Sequence, residues 1–310
     1  MTRGLPLCLG FGRRTRLLTI MDKATETYSA ASIPVQHNWF LRLLRTCQFG
    51  IARVTTRDGF VRARAAPFDL TFTGPAADCI TRHIYRIGAH EPHISRYLLD
   101  HVRIEAGEVA LDVGANIGWY SVLLDRLSVP GARIFAFEPD PESFRLLQSN
   151  LAANAAARVR ALNMALGETP GRAVLHRYRG TNNGRHTLLD GNSSGGTVEV
   201  RVDTLKSFWD EEQLGTSPIR FLKIDVEGFE CLVLRGAGDL LARCQCVLLE
   251  YSPEGLKLAG LEPEALIDLL VAARLSARVF VKEQLRTISF GELARATVQQ
   301  DLLLTPVAAH

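Results

Sequence analysis

Three things are missing from this chain of 310 residues. It has no apolar run near the roughly 20 residues that a membrane-spanning helix requires, so no span is expected. Its six cysteines include no C-x-x-C pair, which removes the usual signature of a redox or zinc motif. No internal repeat is visible, so a solenoid or propeller is not indicated. Cys8, Cys47, Cys79, Cys231, Cys244 and Cys246 are scattered instead, and Cys244-x-Cys246 beside a predicted strand reads as a pair of buried free thiols. Such usage suits a reducing cytoplasm better than a disulfide-bonded, secreted setting. What is present is ordinary: 47% hydrophobic and 22% charged residues, a length that fits one large domain plus an extension.

Charge divides the chain. Residues 1–66 hold eleven Lys or Arg against three Asp or Glu, a balance of +8, so the net +3 leaves −5 for the rest. A basic N-terminal extension over 1–66 and a main domain over 67–310 are therefore expected. In the first twenty residues Arg13 and Arg14 interrupt the apolar stretch, whereas a signal peptide carries its charge ahead of that stretch. Secretion is not expected, and Met21 is a candidate start that would leave residues 1–20 outside the mature chain. Residues 38–54 place Trp39, Phe40, Leu43, Leu44 and Cys47 at helical spacing among arginines. A basic amphipathic helix is predicted there, packed on the main domain or meeting a membrane surface or acidic partner.

From about residue 95, short apolar runs alternate with amphipathic stretches, the pattern of βαβ units around a parallel sheet. Strands are predicted at 109–113, 133–137, 159–163, 220–225, 246–251 and 277–282, with 301–305 closing the sheet. Helices are predicted near 117–127, 141–154, 229–234 and 263–273. The second has clear start signals, with Asp140 as N-cap and Pro141 in the first turn. Val174–Arg179 and Thr197–Val202 flank a Gly/Asn/Ser-rich stretch that reads as a β-hairpin insertion or flap. The expected architecture is a doubly wound α/β fold.

Two segments carry chemistry. Leu111 to Tyr120 reads LDVGANIGWY, a strand, a glycine-rich turn and a helix start. Gly114 permits the tight turn, and Gly118 permits close approach of the helix. A dinucleotide fingerprint would have its second glycine at position 116, to let the backbone approach a pyrophosphate, but Asn116 stands there. S-adenosylmethionine has no pyrophosphate, and Asn116 can instead meet its amino-acid end. The next strand ends in Glu138, an acid placed to accept both ribose hydroxyls. Asn163 closes the third strand at the same edge, within reach of an adenine or simply in a turn. The second segment, FLKIDVEGFE from Phe221, places Lys223 and Asp225 on one strand face with Glu227 following. Buried parallel strands are near-continuously apolar, so these charges either pair structurally or serve the chemistry.

The chain here resembles the FkbM-type methyltransferases. The matching pieces are Glu91-Pro92, LDVGANIGWYSVLL, FAFEPDPESFRLLQSNL, NMALGE, VDTLKSF, FLKIDVEGFECLVLRGA and VLLEYS, in the family's order across roughly residues 80–306. The resemblance implies a seven-stranded Rossmann-like sheet, S-adenosylmethionine as cofactor, and O-methylation of a hydroxylated small molecule such as a sugar or natural product. It also implies a cofactor role for Asp112, Gly114, Asn116, Gly118, Tyr120 and Glu138, and places Asp225 and Glu227 beside the reacting methyl. Such a reaction needs in-line alignment and a group to take the acceptor's proton, for which Asp225 or Glu227, with Lys223 alongside, are the candidates.

Other readings stay open at this point. An NAD-linked oxidoreductase shares the general fold, which does not decide function. A non-catalytic cofactor-binding protein is another. Nucleic acid is not an expected partner, since the body is acidic and no Asn-Pro-Pro-aromatic motif occurs. His90-Glu-Pro-His93 has the residue types of a metal site without the spacing, and no metal is expected; Glu91 instead shapes the site entrance. His186, in the NNGRH stretch of the hairpin loop, is an alternative base or a solvent-facing loop residue.

Overall fold

Near-continuous apolar runs on five short strands commit this chain to a sheet buried on both faces. The computed structural model describes residues 25–27, 39–56, 58–178, 186–189, 194–281 and 284–307. Residues 1–20, Met21, residues 182–185 and Lys282 lie outside the described residues.

The N-terminal part comprises β1 (Thr25–Thr27), α1 (Trp39–Thr55), the hairpin β2 (Phe60–Ala65) and β3 (Leu70–Pro75), α2 (Cys79–Ile87) and α3 (Pro92–His101). Next come β4 (Val109–Val113), α4 (Trp119–Arg126), β5 (Arg133–Phe137), α5 (Pro141–Ala153) and β6 (Val159–Leu162). A small sheet follows, built from β7 (Ala165–Leu166), β8 (Gly171–His176) and β9 (Thr197–Asp203). Then come α6 (Leu205–Glu211), β10 (Ile219–Ile224), α7 (Glu230–Ala237), β11 (Val247–Tyr251), α8 (Pro253–Leu258) and α9 (Pro263–Ala272). The chain closes with β12 (Leu275–Val281), β13 (Gln284–Ile288), α10 (Phe290–Ala294) and β14 (Gln300–Pro306).

The main sheet runs β1-β13-β12-β14-β11-β10-β4-β5-β6. Its five strands from β6 to β11 are parallel, and β14 enters antiparallel between β11 and β12. All seven predicted strands are in it, but the sheet has nine, not seven. The two additional strands lie at one edge: β13 folds back on β12, and β1 pairs with β13. Strand alternation splits the core. Leu111, Val113, Leu222 and Ile224 face one layer of helices, while Ala110, Ile134, Ala136 and Phe221 face the other. The result is three layers, helices over both faces of a doubly wound sheet.

β4 and β5 have the predicted bounds, and most other elements shift by one or two residues at an end; α7 runs three residues past its expected end, and β8 begins three residues before its expected start. The helix expected from Ile117 begins at Trp119, because Gly118 in left-handed conformation (φ 92°) is its N-cap. Order also begins earlier than residue 95. The α2 helix has its own local signals: the Asp78 side chain accepts from the Thr81 amide at 3.0 Å, and Gly88 ends the helix at φ 80°. The step in charge at residues 66/67 falls inside the β2–β3 hairpin. Cys244 and Cys246 are buried free thiols, as expected, and burial pushes Cys246 up to about 12. No described helix is long and apolar enough to cross a membrane.

Candidate functional site

Strand order reverses at β4, whose neighbours β5 and β10 lead away in opposite directions. Ligands of open α/β sheets bind beyond the carboxyl ends at such a point. A cleft of about 390 Å³ lies there, a size typical of small-ligand sites. The glycine turn forms its floor, Phe137 to Pro139 and Met164 to Leu166 one wall, and Lys223 with Asp225 to Glu227 the other.

Gly114 sits at φ 81°, and a β-carbon there would lie 1.8 Å from the carbonyl oxygen of Asp225. The two strand ends thus meet only because this residue has no side chain. At Gly118 a β-carbon would come 2.6 Å from Leu147 Cδ1, so this glycine lets α4 lie against α5. Asn116 is left-handed too (φ 50°), and its amide donates to Glu138 Oε2 at 2.7 Å. The Asp140 amide donates to the other oxygen at 2.8 Å. Glu138 is buried, and that burial pushes its carboxyl up to about 7 despite both amides. Glu91 and Glu227, both lining the cleft, are also left-handed (φ 41° and 51°). Backbone strain of this kind costs roughly 1–3 kcal/mol per residue and gathers at functional sites.

Lys223 is buried at the centre of the charged wall. Its Nζ lies 3.0 Å from Asp225 Oδ2, 3.9 Å from Asp112 Oδ1 and 5.1 Å from the centre of the Tyr120 ring. Burial opposes its charge, but Asp225 and Asp112 outweigh burial and hold its pKa above the ordinary lysine value. Lys223 therefore stays an ammonium and is not a base. The Tyr120 hydroxyl donates to Glu91 Oε2. Burial raises the Glu91 carboxyl, yet His90, the Tyr120 hydrogen bond and Lys223 together bring it below the usual range. Burial lowers the His186 pKa, and its Nδ1 accepts from the Tyr178 amide at 3.1 Å. That leaves Nε2 as the protonated nitrogen of the neutral ring.

Glu250, near the carboxyl end of β11, joins the same wall. It pairs across the ladder with Asp301 of β14. Burial, then Asp225, Glu227, Glu230 and Asp301, push Glu250 up to about 11. Burial, then Glu91 and Asp225, push Asp301 up to about 7. Asp225, Glu227 and Glu250 each bring a carboxylate oxygen within 4.8 Å of the others, a spacing that can hold a cation. The sequence did not single out Glu250, although an acid in the apolar run VLLEY is the same signal that marked Lys223 and Asp225.

The predicted residues do not all converge. Gly114, Asn116, Tyr120, Glu138, Lys223, Asp225 and Glu227 line the cleft, as do Glu91 and His186. Asp112, Gly118 and Asn163 do not; Gly118 instead packs against Leu147. Asp112 shares its sheet face with Lys223, its register partner, but lies beneath α4, where it accepts from Ser121 Oγ at 2.5 Å, fully buried. Asn163 is exposed, and its amide donates to the carbonyls of Glu138 and Pro139 at 2.9 and 3.0 Å. It braces the turn after β5, and the neighbouring Met164 takes the place in the wall expected for it. His90 and His93 diverge: His90 stacks on His83, and His93 packs on the edge of Phe280. Cys79, Ile80, His83, His90 and Gln299 also contribute to the lining, and no local pattern marked Ile80, His83 or Gln299.

The chain is similar to several known proteins. Hexuronic acid methyltransferase AglP of Haloferax volcanii is 29% identical over 192 residues, covering 61% of this chain and 71% of that protein. The 31-O-demethyl-FK506 methyltransferase FkbM of Streptomyces tacrolimicus is 32% identical over 171 residues, covering 46% of this chain and 64% of that protein. The 2-O-methyltransferase NoeI of Sinorhizobium fredii is 27% identical over 184 residues, covering 55% and 74%. A solved methyltransferase FkbM from Methylobacillus flagellatus aligns at TM-score 0.41 and 17% identity, covering 66% of this chain and 45% of that one. The methyltransferase FkbM domain model matches residues 112–274, from the strand that opens the cleft through the whole charged wall. The chain belongs to that family and is a methyltransferase.

Proposed function

We propose that this enzyme transfers the methyl group of S-adenosylmethionine to a hydroxyl of a small acceptor, a sugar or natural product. The observation that carries the reading is the pairing, across one cleft, of a glycine turn lacking a pyrophosphate seat with a carboxylate wall. Gly114 lets the end of β4 close against the Asp225 carbonyl, which brings the glycine turn and the charged wall together over the strand ends. Glu138, with both oxygens already held by backbone amides, is oriented for a ribose diol. Asn116 and Tyr120 frame the amino-acid end, and Gly118 sets the helix behind them. Asp112 acts behind them, anchoring α4 through Ser121 and sharing the Lys223 charge. When bound, the cofactor supplies an activated methyl on a sulfonium.

The protein then has two tasks, alignment and proton removal. Asp225 and Glu227 stand where an acceptor hydroxyl's proton can be taken. Lys223 fixes the Asp225 carboxylate in place at 3.0 Å. Thr187 Oγ1 donates to the Glu227 carbonyl at 2.9 Å, tying residues 186–189 to the charged turn, so this segment is well placed to help form the acceptor's surroundings. AglP, NoeI and FkbM carry names that state methylation of a hexuronic acid, a 2-O position and a 31-O position, which favours oxygen as the atom methylated here. The buried thiols Cys231, Cys244 and Cys246 suit a reducing cytoplasm.

Calorimetric titration with S-adenosylmethionine, with NAD as control, tests the cofactor. Micromolar binding of the methyl donor and none of NAD is expected, followed by S-adenosylhomocysteine formation when hydroxylated acceptors are supplied. Binding of NAD and not of the methyl donor overturns the reading.

A further inference from the structure

The α1 helix is mounted with its apolar face outward. At 100° per residue, Trp39, Phe40, Leu43, Leu44, Ile51 and Val54 fall within about 140° of its circumference. A surface helix normally turns such a stripe to the core. Here Trp39 is 74%, Leu43 55%, Ile51 62% and Val54 80% exposed. Phe49, on the far side from the stripe, is buried with Val61 and Ala76, and Thr46, at the edge of the stripe beside Trp39, accepts through Oγ1 from Arg86 Nε at 2.9 Å. Attachment is thus by a narrow strip, and most of the helix's apolar surface is left in water.

The geometry points to the surface of an anionic lipid bilayer as the occupant of this face. Charge argues for it. The seventeen residues of α1 contain no acid, Arg42 and Arg53 are exposed along one border of the stripe, and Arg62 is exposed on the adjoining strand β2. A helix with an apolar face, arginines beside it and a tryptophan at its end is built to lie in the headgroup layer. Basic side chains at that depth draw the helix to anionic lipid and are screened by salt. At 17 residues, three of them arginines, α1 lies on a bilayer and does not cross it. The helix α2, against which α1 packs, also supplies Cys79, Ile80 and His83 to the cleft lining. A bilayer beneath α1 therefore adjoins the catalytic cleft, although binding there requires no methyl transfer.

The chain carries its own probe. Of its three tryptophans, Trp119 and Trp209 are buried in the core and Trp39 alone is exposed. The full chain is mixed with phosphatidylcholine vesicles made with or without phosphatidylglycerol. Co-sedimentation with the anionic vesicles at low salt is expected, together with a blue shift of Trp39 emission and its quenching by brominated acyl chains. Leu43→Glu with Val54→Glu is expected to weaken vesicle binding at least about tenfold. Arg42→Glu with Arg53→Glu is expected to abolish the preference for anionic lipid. Circular dichroism and S-adenosylmethionine titration of both variants report whether the body remains intact, since none of these four residues lies in the cleft. Absence of sedimentation with anionic vesicles overturns the inference. So does vesicle binding that survives Leu43→Glu with Val54→Glu, or a dimer in solution that the same pair dissociates, which would assign the face to a second copy.

Discussion

Lowering the pH through 7 is expected to weaken the cleft's hold on S-adenosylmethionine through one side chain, Glu138. A carboxylate accepts both O–H groups of a ribose diol in charge-assisted hydrogen bonds, which the protonated acid cannot match, so the ionised form binds more tightly. In the free site burial pushes Glu138 up to about 7. At pH 6 roughly one molecule in eleven then carries the ionised form, and at pH 8 about ten in eleven. Binding that fixes the carboxylate drives its pKa down, so the affinity is present above pH 7 and is lost as pH falls through it. The dissociation constant rises about tenfold from pH 8 to pH 6, a change of about 1.4 kcal/mol. Calorimetry at both pH values, in buffers of different ionisation heat, reads the affinity and the proton released. Glu138→Gln separates this residue from every other titrating group, including those of the ligand. It is expected to bind weakly and to lack the tenfold change. A wild-type pH dependence no steeper than that of the variant would refute the role given to Glu138.

Asp225→Asn is expected to stay folded and to lose at least about a hundredfold in turnover, as removal of a general base does; wild-type rates would shift the role to Glu227. Gly114→Ala forces a left-handed alanine against the Asp225 carbonyl, and a loss of about 2–5 kcal/mol in denaturant unfolding is expected. An unchanged midpoint would mean that the two strand ends do not approach as described. Asn163→Ala is expected to leave the S-adenosylmethionine dissociation constant within about twofold, because its amide faces the Glu138 and Pro139 carbonyls and not the cleft. A large loss would return Asn163 to the adenine site. Chelation by EDTA is expected to leave methyl transfer intact, since Lys223 already supplies positive charge to Asp225 and Glu250 is held protonated. Activity lost with EDTA and restored by a divalent cation would make Asp225, Glu227 and Glu250 a metal site.

What the sequence determined by itself is local. Short apolar runs bounded by turn residues defined β4 and β5 to the residue, and Asp140 with Pro141 defined the start of α5, because strand burial and helix capping leave their marks on near neighbours. The same locality located Gly114, Asn116, Glu138, Lys223, Asp225 and Glu227, which occur in strand-ending motifs and lie on strands that any doubly wound sheet places side by side. Tertiary structure decided the rest. It set Glu250 against Asp301 through an antiparallel pairing of strands fifty residues apart, and brought Glu91 to Tyr120 across the cleft. It held Asp112 beneath α4 and Asn163 on the turn after β5, through contacts with neighbours that the strand pattern does not specify. And it left the apolar stripe of α1 in water: periodicity shows that a helix has two faces, but which one is buried depends on surfaces supplied from elsewhere in the chain.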